Sequence, residues 1–82
     1  MSDFEYEVRG KLAQVLAGAD LSSVLGSTTV RGALGLILDN LALATEASEE
    51  WIWYQLQPEN KKLVHRLRDE FWDEIAAWKA KR

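Results

Sequence analysis

The sequence predicts an all-α fold, a small bundle of four main helices plus a short extra turn, with a long C-terminal helix. Three observations carry that expectation. Apolar residues recur at intervals of three and four from end to end, with no sustained alternation. Residues that cap helix N-termini (Ser2, Asp20, Ser27 to Thr29, Ser48) stand just ahead of the periodic stretches. Gly18, Gly26 and Pro58 fall where one stretch must end and another begin. The chain of 82 residues has room for a single domain, residues 1–82. A chain this short buries only about 60% of its unfolded surface, so its stability margin is thin.

The first helix is expected over residues 3–17. Ser2 and Glu5 have capping-box spacing, and Phe4, Val8, Leu12, Val15 and Leu16 fall within one third of the circumference. A different face carries Tyr6, Gly10, Ala13 and Ala17. Small side chains there would let a second helix come close; otherwise Gly10 only weakens the helix, by about 1 kcal/mol. Asp20 can then cap a short turn bearing Leu21, Val24 and Leu25.

A central helix is expected from Val30 to about Ala44. Val30, Ala33, Leu34, Ile37, Leu38, Leu41 and Ala44 form one broad face, while Leu36 and Leu43 lie on the other side with Gly32. A helix apolar on two sides is surrounded by neighbours. Asp39 and Asn40 belong at its wet edge or in a cap. The segment contains Arg31, Asp39 and Asn40 and is about 15 residues long, short of the ~20 needed to span a bilayer.

Thr45 or Ser48 opens the fourth helix, whose first turn holds Glu46, Glu49 and Glu50. Its aromatic run, Trp51-Ile52-Trp53-Tyr54, has strand-like composition, and on a helix Trp51 and Trp53 point about 200° apart. A lone strand would need a second copy to pair with, so helix is preferred. Pro58 opens the last helix, expected to run to about Lys79 with Leu63, Val64, Leu67, Phe71, Ile75 and Trp78 as its apolar stripe. Trp72 falls outside that stripe, near His65 and Arg68.

Charge and composition narrow the function classes. The net charge of −3 and pI near 5.0 disfavour generic affinity for nucleic acid or anionic membranes. Residues 1–50 carry a net −5 and residues 51–82 a net +2, so the halves can face each other within one copy or across two. There is no cysteine, which fits a reducing compartment, and the acidic N-terminus lacks the features of a secretory signal, so a cytoplasmic location is expected.

Residues 21–36 resemble the helix-turn-helix pattern, in which a Leu-Gly (here Leu25-Gly26) ends one helix and a Thr-Val-Arg (Thr29-Val30-Arg31) opens the recognition helix. The usual pattern has about two more residues in the turn. After Arg31, the helix also offers only Gly32, Ala33, Leu34, Gly35 and Leu36 to a phosphate or base edge.

Chemistry-bearing constellations are sparse. His65 and Asp69 are spaced to share a helix face, but zinc needs three or four protein ligands and His65 is the one histidine. The carboxylates lack the Glu-x-x-His pairs of a di-metal bundle, and no nucleophile stands in a pattern with His65. The expectation is therefore a protein without catalytic residues, metal or cofactor.

The aromatic surplus is the remaining signal. Six of the eight aromatic residues lie between Glu49 and Trp78. Trp and Tyr beside Arg are the side chains most often found at binding hot spots. The expected interaction patch is Trp51, Trp53, His65, Arg68 and Trp72. The expected function is a non-enzymatic regulatory or adaptor protein that binds another protein, with a homodimer included. The alternatives are a small DNA-binding regulator using residues 21–36 and a bundle binding a small ligand among Trp51, Trp72 and Trp78.

Overall fold

Ser2 opens the chain's first helix as expected: its hydroxyl accepts from the Glu5 N–H at 3.1 Å, and α1 runs Asp3–Leu16. The computed structural model describes residues 2–81. α1 buries Val8, Leu12 and Val15 and ends where Gly18 takes a positive φ of 122°. A single 3-10 turn, Leu21–Ser23, follows, capped by Asp20 and pinned by the buried Leu21.

The helix α2 (Thr28–Leu38) starts on Ser27, whose hydroxyl accepts from the Val30 N–H. It packs against α1 and the elements that follow, and every residue from Gly32 to Leu38 is buried. One correction concerns its length. The continuous helix expected to Ala44 is broken at Asp39, which adopts left-handed backbone (φ 56°, ψ 41°) while the Asn40 N–H bonds back to the Gly35 carbonyl at 2.9 Å. The chain turns into the short α3 (Leu41–Ala44), which folds against α2. The turn sets Leu41 and Ala44 against Gly35, and Arg31 Nε donates to the Ala44 carbonyl at 3.0 Å, satisfying an otherwise open helix end. Asp39 stays exposed at this corner, as expected for a wet edge.

Ser48 caps α4 (Glu49–Gln55), so the aromatic run is helical, and no strand occurs among the described residues. Its buried residue, Ile52, presses on the bare Cα of Gly32. Pro58 is the first residue of α5 (Pro58–Glu70). The second correction falls here: the long C-terminal helix is divided at Phe71 (φ −107°, ψ 24°), and α6 spans Trp72–Ala80. Hydrogen bonds continue through the join, Phe71 N–H to the Leu67 carbonyl and Ile75 N–H to that of Phe71, so the helix bends without being lost. Beyond the bend, Ile75 and Trp78 are buried.

The described residues thus form six α-helices and one 3-10 turn, where four main helices and a turn were expected. The core runs from Val8, Leu12 and Val15 through Leu34, Ile37 and Leu38 to Ile52, Val64 and Leu67. None of these helices is long and apolar enough to cross a membrane.

Candidate functional site

The four tryptophans have four different environments. Trp78 lies on the buried stripe of α6 and is only 9% exposed. Trp53 is half-buried: its ring stacks on His65 with centroids 5.5 Å apart and planes 16° from parallel, and its Nε1 donates to Glu49 Oε2 at 3.3 Å. Trp51 is 43% exposed and Trp72 64%.

The arrangement joins four of the five expected patch residues. His65 and Arg68 are one helical turn apart on α5, and Trp72 follows one further turn on at the start of α6. The helical path continues through Phe71, so the three follow one line about 10 Å long. Trp53 joins that line from α4 through its stack on His65. Trp51 does not. Two residues along a helix turn a side chain by about 200°, so Trp51 faces away and shares a separate open depression with Ser48, Glu50 and Tyr54. The patch is therefore an edge of four residues plus a detached tryptophan. Tyr54, 82% exposed, belongs with Trp51 and was not in the expected set. The signal for it was its position three residues after Trp51, one turn along the same face. Tyr6 and Leu25 are also exposed, at 75% and 81%.

Arg68 on this edge, and Lys61 and Lys62 earlier on α5, form no ion pair among the described residues, while Glu49 brings one carboxylate to the edge at Trp53. On the neighbouring flank the cations are paired. Arg9 holds Glu70 through two hydrogen bonds of 2.7 and 3.0 Å and Glu5 through a third of 2.9 Å, while Arg66 reaches Glu5 at 2.9 Å. Arg66–Glu5 and Lys79–Asp39 both join the basic C-terminal half to the acidic N-terminal half, so part of the charge asymmetry is neutralised within one copy.

This network predicts a pH response. The hydrogen bond from Arg9, reinforced by Arg66, holds both the Glu5 and Glu70 carboxyls below their ordinary value of 4.5. The folded chain therefore binds fewer protons than the unfolded one at mildly acid pH. The stabilisation is complete above about pH 4.5 and is lost as pH falls through the depressed folded values. Glu70 is exposed and Glu5 only half-buried, so solvent screening keeps the effect modest. Urea midpoints measured from pH 7 to pH 3 should fall less steeply for Arg9→Met than for the natural chain, and identical acid limbs would refute the coupling.

His65 is engaged by the Trp53 ring, and the described residues contain no group of three or more His, Asp or Glu side chains placed to hold a metal ion. Trp51 and Trp78 line different depressions. No family model matches this chain, and neither a curated protein nor a solved structure does.

Proposed function

We propose that this chain is a non-enzymatic, cytoplasmic regulatory or adaptor module that binds another protein along the edge formed by Trp53, His65, Arg68 and Trp72. The observation that carries this reading is the contrast between two indoles of one helix: Trp78 is buried, whereas Trp72 leaves 64% of its surface in water. Transferring that apolar ring from water to a partner is favourable at about 25 cal/mol per Å². Arg68 and the lysines of α5 add charge that favours a partner with an acidic contact surface. Trp51 and Tyr54 offer a second, smaller contact.

The DNA-binding alternative has less support. The would-be recognition helix α2 is enclosed from Gly32 to Leu38, and its Arg31 donates to the Ala44 carbonyl. Beyond its first turn, where Thr28 is exposed, such a helix offers no free face to the major groove.

The test is Trp72→Ala. Stability should change by no more than about 0.5 kcal/mol, as for surface substitutions generally. Retention of the partner, measured by quantitative mass spectrometry after capture from the native host, should fall on the order of thirtyfold, the loss of a hot-spot side chain. An unfolded variant, or undiminished retention, overturns the reading. Duplex DNA retained at low salt and released by Arg31→Ala would favour the alternative instead.

A further inference from the structure

Two opposite charges on α6 have no counter-ion. The basic residues of α1 are matched, Arg9 to Glu5 and Glu70 and Lys11 to Glu7. Glu74 and Lys81 pair neither with each other nor with any described residue. They stand on one face of the helix with Ala77 and Trp78 between them, at offsets of three, four and seven residues from Glu74. α6 packs on α1 here, and between the two lies a depression of about 350 Å³. Its other wall is the end of α1, formed by Leu16, Ala17 and Gly18. Gly18 takes a positive φ of 122° as the chain leaves the helix, so that wall carries no side chain beyond Ala17. The result is a mainly apolar trough with a carboxylate and an ammonium about 10 Å of helix apart.

We propose that this trough binds a linear ω-amino acid, with its ammonium on Glu74, its carboxylate on Lys81 and its alkyl stem laid over Ala77 and Trp78. Charge complementarity selects that class. A simple anion would face Glu74 without compensation, and a simple cation would face Lys81, whereas a zwitterion answers both. An α-amino acid holds its two charges on neighbouring carbons, too close together to meet groups two helical turns apart. A stem of several methylenes spans the interval and removes the apolar walls from water. The volume falls within the ~300–1,000 Å³ of small-molecule sites.

The same chemistry has two sources. A lysine at the C-terminus of a peptide also carries an ammonium and a carboxylate at opposite ends of an alkyl stem, so the occupant is either a free ω-amino acid or such a terminus. Glu74 lies two residues beyond Trp72, about 200° around the helix, which turns the trough away from the Trp53–Trp72 edge. The inference therefore stands or falls without the proposed partner-binding role.

Titration of the isotope-labelled full chain with 6-aminohexanoate, followed by heteronuclear NMR, tests it. Saturable shifts are expected at Ala17, Gly18, Ala77 and the Trp78 indole, with a dissociation constant on the order of 1 mM, because exposed ion pairs add little. Hexylamine and hexanoate, each with one of the two charges, should bind about fivefold more weakly. Glu74→Gln and Lys81→Gln should weaken 6-aminohexanoate to the same degree, and both positions are exposed, so the fold is kept. Trp72→Ala should leave the constant unchanged. A peptide ending in lysine that binds with a free carboxylate but not when amidated identifies a C-terminal lysine as the source; binding confined to 6-aminohexanoate identifies a free small molecule. Absence of saturable shifts with both probes, equal binding of hexylamine, or a constant indifferent to both glutamine variants would each overturn the inference.

Discussion

Replacing Leu38 by alanine should destabilise the protein by about 3–5 kcal/mol, the range for large-to-small changes at sealed core positions. Leu38 is fully buried where α2 ends, and its neighbours are held by the turn at Asp39 and by α3 folding back, so they have little freedom to close the resulting cavity. A domain of this length has a total stability of roughly 4–12 kcal/mol. The loss is therefore a quarter of the total or more, and the melting temperature should fall by about 15 °C or more. Calorimetry on Leu38→Ala beside Trp72→Ala makes the comparison direct. A collapse of the first with a near-natural second is the expected pair of results; equal losses would mean that Trp72 is structural.

Gly35→Ala should also destabilise, by about 1–3 kcal/mol, although helix propensity alone predicts a gain of about 1 kcal/mol. The added methyl would lie 2.8 Å from the Leu41 Cα, 2.9 Å from its Cδ1 and 3.0 Å from the Ala44 Cβ. A backbone atom and a methyl fixed to it cannot rotate away, so α3 must move off α2. Arg31 would then lose its bond to the Ala44 carbonyl. Gly10→Ala is the control. With nothing within 4 Å, it should stabilise the dilute chain by roughly the full propensity difference of 1 kcal/mol. Urea denaturation at low protein concentration checks both signs, and a stabilised Gly35→Ala would show that α3 can shift off α2 without loss.

Much of the candidate surface could be read before any coordinates. Trp78 fell on the apolar stripe of the last helix and is buried, while Trp72 fell off it and is exposed. Both follow from helical period, which the sequence displays directly. The separation of Trp51 from Trp53 was also implicit in that period, yet grouping residues near in sequence placed them in one patch. The stack of Trp53 on His65 was not legible, because it depends on how α4 and α5 lean together across the short connection at Leu56 and Gln57.

The sequence by itself determined helical class, cap positions and the buried side of α1, α2 and α5, because hydrogen bonding within a helix and the spacing of apolar residues are local properties. Tertiary structure alone decided where helices stop being straight. Asp39 turns left-handed so that Leu41 and Ala44 reach Gly35, and Phe71 bends so that Trp78 reaches the core. Those breaks minimise exposed apolar area over the whole domain, a quantity set by contacts between residues far apart in the chain that no local pattern records.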